Sequence, residues 1–235
     1  GLARCIAMVL IWNQLACGDN EAAAVLVLLN SVFQVVAYAV LGYFYLQIAP
    51  AWLGLQTTDV HFAFWPIAYS VLIFLGIPLV LGFATSRLLR GQRGDAWYEQ
   101  RFLPRIGPIA LYSLLFTIVM LFAIQGEAIT SQPLAVVRIA VPLVVYFAIM
   151  WTTAFAWGRL QGLHYEKTAT LAFTAAGNNF ELAIAVAIGT FGVVSGQALA
   201  GVVGPLIEVP ALVALVYVSL WARRFFTGAP QPATR

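Results

Sequence analysis

Gly177-Asn178-Asn179-Phe180-Glu181-Leu182-Ala183-Ile184-Ala185 puts a glycine, two carboxamides and a carboxylate in the middle of an apolar segment that then runs on to Phe191. A membrane span normally satisfies its backbone within unbroken helix. An interruption and an acid at mid-depth are tolerated only where protein or a polar pathway surrounds them. This stretch therefore predicts a broken membrane helix of the kind that lines a transport route.

Working outward, 62% of the chain is hydrophobic and 9% is charged, against a charged fraction of about 25% in soluble domains. Mean hydropathy is +0.91. Runs of about 20 apolar residues cross the hydrocarbon core as helix. The runs here predict seven spans, at about residues 2–16, 22–48, 62–88, 106–125, 134–157, 168–192 and 197–221. Strands of about ten alternating residues, as in a membrane barrel, do not match. Pro78, Pro142, Pro205 and Pro210 fall inside segments, where kinks are expected. The chain opens on Gly1 with Gly1–Leu15 already apolar and lacking a basic leader region, which reads as a fragment beginning inside a helix.

Ten of the twelve basic residues lie in three loops: Arg87, Arg90, Arg93, Arg101 and Arg105; Arg159 and Lys167; and Arg223, Arg224 and Arg235. The loops at 49–61, 126–133 and 193–196 carry none. The positive-inside rule assigns the basic face, and with it the C-terminus, to the cytoplasm. Arginines beside a bilayer are topogenic and lipid-facing, so the basic balance implies no nucleic-acid partner.

Laid on itself at an offset of 174, the chain sets Ala24, Val35, Ala37, Leu41 and Tyr43 on identical residues and Gln34 on Glu208. The same offset sets the first span over the sixth, Cys5 over Asn179. Those spans run in opposite directions, so a true repeat is inverted, the arrangement that builds substrate sites at paired broken helices.

Five residues carry the candidate chemistry. Glu181 reads as a proton or ion site, or as the first-turn acid of a half-helix capped by Asn179. Asn178 and Asn179 satisfy backbone opened by the break, or hold a polar substrate. Cys5 is a packing residue or a thiol ligand. Arg4 beside it in sequence favours the ligand reading, since thiolates bind soft metals and metalloids. Glu208, between Pro205 and Pro210, serves proton coupling or bonds to backbone freed by the prolines. Trp12 and Asn13 are placed near Cys5, and Cys17 is a bystander. Both cysteines are expected as free thiols. His61 and His164 fall in loops on opposite faces and make no metal site. No nucleotide-binding, zinc-ligand or nucleophile motif is present, so neither a cofactor nor an enzymatic activity is expected.

Together, Ala3-Arg4-Cys5-Ile6-Ala7-Met8-Val9-Leu10-Ile11-Trp12-Asn13, Leu15-Ala16-Cys17-Gly18-Asp19, Asn178-Asn179-Phe180-Glu181-Leu182-Ala183-Ile184-Ala185 and Gly204-Pro205-Leu206-Ile207-Glu208-Val209-Pro210 resemble the arsenical-resistance permease family. This is the arsenite efflux branch of the bile acid, arsenite and riboflavin transporter superfamily. The likeness runs the length of the chain, with the motifs in family order. It implies an all-α integral membrane protein of ten spans in two inverted five-span repeats, whose broken fourth and ninth helices cross at the centre. The seven segments correspond to the fourth through tenth spans. Residues 1–235 would then be a single transporter domain lacking about three helices, with independent transport not expected.

The resemblance further implies secondary active export of arsenite or antimonite across the cell membrane in exchange for protons. Cys5 matches the family's functional cysteine and Glu181 its functional glutamate. Cys5, Asn178, Asn179 and Glu181 are the expected substrate contacts, with proton coupling at Glu181 and Glu208. The metal site reduces to Cys5 as a metalloid thiol ligand. A sodium-coupled organic-anion symporter on the same architecture is the nearest rival. It would want several carboxylates and hydroxyls around a cation, and only Glu181 and Glu208 stand within spans.

Overall fold

The computed structural model describes residues 2–6, 8–54, 64–131, 133–193 and 195–226. The apolar runs fold as helices α1 (Met8–Leu15), α2 (Asn20–Tyr43), α3 (Phe64–Val71), α4 (Ile77–Arg93), α5 (Leu103–Ser131), α6 (Pro133–Leu160), α7 (Tyr165–Ala176), α8 (Phe180–Phe191) and α9 (Gly196–Ala222). Among the described residues, Asn20–Tyr43, Leu72–Arg93, Pro133–Leu160 and Gly196–Phe225 are long and apolar enough to cross a bilayer. Most of their large apolar side chains, such as Val36, Phe83, Val141 and Tyr217, are exposed, as lipid-facing residues must be. The chain is an all-α membrane protein. His61 lies outside the described residues.

The first and sixth segments are not continuous helices. The sixth divides into α7 and α8 at Gly177–Asn179, where the sequence places the break. In the first, helix covers only Met8–Leu15 of the expected 2–16, and residues 2–6 are non-helical. Their backbone bonds are taken by the break in the other segment instead of by a local turn.

Proline is accompanied by widened turns at three places. Three π turns, Phe44–Ile48, Leu72–Gly76 and Tyr98–Phe102, each end two residues before a proline: Pro50, Pro78 and Pro104. Proline's ring clashes with the carbonyl four residues earlier, and a widened turn moves that carbonyl aside. Pro142 lies within α6, and Pro205 and Pro210 lie within α9.

Helices α6, α7, α9 and α1 pack around one apolar cluster that includes Val9, Trp12, Phe147, Trp151, Phe173 and Leu212. A smaller cluster, centred on Val71, Leu75, Leu182 and Val186, joins α2 and α3 to α8. Two glycines set the close approach of α8 to α9: a Cβ on Gly201 would lie 2.6 Å from Ile184, and one on Gly204 would lie 2.0 Å from the Phe180 ring. Overpacking of this kind costs about 1–3 kcal/mol. Gly204→Ala is therefore expected to lower the melting temperature of the purified protein in detergent. An unchanged melting temperature would show that the ring relocates without cost.

At one end of the bundle, Asp19 caps α2 by accepting from the Glu21 and Ala22 amides at 3.0 Å, a contribution of about 1 kcal/mol. The Asp19 amide meets the Glu166 carbonyl and the Thr170 hydroxyl. Buried Tyr165 donates to the Ala16 carbonyl at 2.8 Å, and its hydroxyl lies 3.1 Å from that of Ser219. Arg223 stacks over the Tyr165 ring, and Arg159 lies over Phe226. The ends of α1, α6 and α9 and the start of α7 thus share one face with these basic residues.

Candidate functional site: the crossing of two interrupted segments

Residues 3–5 run antiparallel to residues 177–179 in an isolated bridge between Arg4 and Asn178. The Cys5 amide donates to the Gly177 carbonyl at 3.2 Å, and the Asn179 amide donates to the Ala3 carbonyl at 2.8 Å. Backbone groups opened in a membrane interior must find partners within the protein, and here each break supplies the other's. The bridged positions, 4 and 178, differ by 174, the offset at which the sequence matches itself. Applying that offset converts the first hydrogen bond into the second, as a local two-fold axis requires.

Side chains complete the accounting. Glu208, 2% exposed on α9, accepts from the Asn178 amide at 2.9 Å. Gln34 on α2 donates to the Arg4 carbonyl at 3.1 Å. The Arg4 guanidinium donates to the Ala175 carbonyl and the Tyr146 hydroxyl, and Tyr146 donates to Asn178 Oδ1 at 3.0 Å. Asn179 caps α8 by accepting from the Leu182 amide at 3.0 Å, with Glu181 in the first turn. An acid there complements the helix dipole.

The expected site residues divide into a buried centre and its flanks. Cys5, 4% exposed, packs against Gly177, where a Cβ would fall 3.0 Å from Cys5 Cβ and 3.7 Å from Glu208 Oε1. Only glycine allows the thiol-bearing residue and the carboxylate to approach the break this closely. Asn178 and Asn179 line a cavity of about 240 Å³ together with Tyr38, Gly42 and Tyr45 of the α2 end. Asn179 and Glu181 line a second, of about 440 Å³, with Ile6, Ser31 and Pro78. Asn179 borders both. Glu181 is an exposed residue on the second cleft, whereas Cys5 and Glu208 are enclosed between helices.

Arg4 does not turn toward the Cys5 thiol. Consecutive residues of extended backbone project to opposite sides, so adjacency in sequence separates the guanidinium from the sulfur. Asn13 bonds to Thr170 and Asn20, away from Cys5, while Trp12 shares the core cluster that holds Cys5. Cys17 is exposed in the turn after α1, with φ of 55°.

A family model described as the sodium bile acid symporter family matches residues 1–132. The chain belongs to this family. Among curated relatives, the arsenical-resistance protein Acr3 of Corynebacterium glutamicum is 59% identical over 94% of this chain and 60% of its own length. An Acr3 of Alkaliphilus metalliredigens is 35% identical over 96% of the chain and 61% of its own. An uncharacterized transporter of Synechocystis is 38% identical over the whole chain and 59% of its own. The chain thus spans about 60% of the length of these relatives. No solved structure matches it.

Membership of a sodium bile acid symporter family accords with an all-α, multi-pass membrane protein whose polar groups gather at a broken helix. Sequence reasoning about this family member missed Gln34 and Tyr146 as parts of the crossing. The offset that pairs Gln34 with Glu208 was the available signal for the first. Nothing in the sequence marks Tyr146, one of nine tyrosines, because its role arises only from α6 packing beside the break.

Proposed function

We propose that this chain contributes the substrate route of a carrier that exports arsenite, or antimonite, from the cytoplasm in exchange for protons. The observation that carries this reading is a buried thiol, Cys5, set against the Gly177–Asn179 break with Glu208 at the same point. The likeness to two proteins named for arsenical resistance supports it. In this reading the described segments are the fourth to tenth spans of a ten-span protein in the cell membrane, with the basic face and the C-terminus cytoplasmic.

Arsenite near neutral pH is a small uncharged trihydroxy acid whose trivalent arsenic seeks sulfur. A single thiol holds it weakly enough for release, whereas three thiolates would sequester it. Cys5 contacts the arsenic, Asn178 and Asn179 hold hydroxyl groups, and Glu181 takes or gives the exchanged proton beside them. Asn179, which borders both clefts, would be exposed in turn as one helix group rocks against the other. A sodium-coupled symporter is less well supported, since the crossing offers one buried carboxylate, Glu208, already bonded to backbone.

The test uses the full-length protein in an arsenite-sensitive host, comparing cell-associated arsenic with and without a protonophore. Low arsenic that rises when the protonophore is added supports the reading. Extrusion that follows sodium instead of protons overturns it. In everted vesicles, Glu181→Gln is expected to abolish the response of arsenite accumulation to an imposed pH step, and full retention of that response would remove Glu181 from the proton path.

A further inference from the structure

Away from the crossing, the end of α4 borders an open cavity of about 560 Å³ lined by Phe83, Ser86, Arg87, Arg90, Gly91 and Asp95. Residues three and four apart share a helix face. Phe83, Ser86, Arg87, Arg90 and Gly91 are spaced that way, so one stripe of α4 carries an aromatic ring, a hydroxyl and two guanidinium groups side by side.

The charges around this cavity do not balance. Between residues 83 and 105, Arg87, Arg90, Arg93, Arg101 and Arg105 are accompanied by two acids, Asp95 and Glu99. Arg90 Nη1 takes both, at 2.8 and 3.2 Å. Among the described residues no ion pair engages the other four arginines. Asp95 is thus already paired within the lining, and the exposed Arg87 is the lining's uncompensated charge. The bonds of Arg90 also tie the following turn back onto α4, which shapes the cavity before any ligand arrives.

The apolar wall decides what kind of anion fits. Phe83 is 69% exposed, and Val80 and Ile77, also exposed, continue its side of the helix in steps of three. They belong to Leu72–Arg93, a segment long and apolar enough to cross a bilayer. A free phosphate gains nothing from such a wall. A phospholipid lays an acyl chain along it and sets its phosphate against the arginines. Aromatic residues fix the depth: Arg90 lies 4.5 Å over the Tyr98 ring, Arg93 lies 4.7 Å over the Trp97 ring, and Trp97 stacks on Phe102. Tryptophan and tyrosine gather at the headgroup level of a bilayer, where lipid phosphates lie.

We propose that the end of α4 is a binding site for one anionic phospholipid, with Arg87, Ser86 and Arg90 holding the phosphate and Phe83, Val80 and Ile77 bordering an acyl chain. The site stands apart from the crossing and does not depend on the substrate reading above.

The test titrates the purified full-length protein in detergent with phosphatidylglycerol or with phosphatidylcholine of the same acyl chains, counting bound lipid by native mass spectrometry. The parent should prefer phosphatidylglycerol about tenfold, and Arg87→Gln should weaken phosphatidylglycerol binding about fivefold, as the loss of one interfacial arginine predicts. Ser86→Leu fills the cavity without changing charge and should weaken it comparably. Arg138→Gln removes an exposed arginine near the start of α6, outside the lining, and should leave binding within about twofold.

Unchanged phosphatidylglycerol binding in a folded Arg87→Gln overturns the proposal, and so does an equal loss in Arg138→Gln, the mark of diffuse attraction to charge. Should Arg87→Gln fail to fold, Ser86→Leu decides, and full binding by that variant overturns the proposal. A parent whose melting temperature rises with sodium phosphate as much as with phosphatidylglycerol binds free phosphate at this place, which overturns the lipid assignment.

Discussion

Arsenite accumulation by everted vesicles is expected to fall to the carrier-free background when Cys5 is replaced by serine in the full-length protein. The substitution changes little besides the sulfur. Cys5 is nearly enclosed, and its neighbours Gly177 and Glu208 leave room for an atom of that size without strain. The Cys5 backbone bond to Gly177 involves no side-chain atom and persists in the variant. Folding and membrane insertion should therefore be preserved, to be checked by yield and melting temperature. What disappears is the buried thiol at the crossing; the other cysteine, Cys17, lies exposed in the turn beyond α1. Oxygen ligands remain, but they suit hard cations better than trivalent arsenic. A well-folded serine variant that accumulates arsenite as the parent does would remove Cys5 as a ligand.

The second large effect concerns Glu208, for which the sequence left coupling and backbone support as equal readings. Its carboxylate accepts from the Asn178 amide, so Glu208→Leu leaves that amide unpaired in a dry interior, at a cost of about 1–3 kcal/mol. Glu208→Gln retains an acceptor oxygen at the same reach and removes only the titratable charge. The leucine variant should show a clearly lower melting temperature and little membrane-inserted protein, with the glutamine variant close to the parent in both. Equal stability of the two variants would mean that the bond to Asn178 contributes nothing. In vesicles, the glutamine variant is expected to accumulate arsenite with a weakened response to a pH step. Full coupling in a folded glutamine variant would confine Glu208 to holding the break.

The break itself was readable because its residues contradict their surroundings. Glycine and two carboxamides in hydrocarbon have few explanations, and Asn179 followed by Glu181 is a recognisable helix start. The first segment was not readable in the same way. Leu2-Ala3-Arg4-Cys5-Ile6 is apolar enough to pass as helix, and no local propensity forbids it. Its extended form follows from backbone bonds made across 172 and 176 residues, to Gly177 and Asn179. The π turns were equally invisible, though the prolines that follow them at positions 50, 78 and 104 were in plain sight. A proline states that a carbonyl must move and leaves open whether the helix bends, widens or ends.

The sequence by itself determined that this is a helical membrane protein and where its sixth apolar segment is interrupted, at Gly177–Asn179. Those conclusions depend on composition and local pattern, which the transfer of side chains and backbone from water to lipid dictates residue by residue. Only the tertiary structure decided that Arg4 pairs with Asn178, that Gln34 and Glu208 support opposite halves of the crossing, that the Arg4 guanidinium turns to Tyr146 and Ala175, and that Glu181 faces a cleft while Glu208 is enclosed. Each of these depends on which orphaned backbone or side-chain group another segment brings within 3 Å or so, and hydrogen bonds between segments have no signature in the spacing of either segment alone.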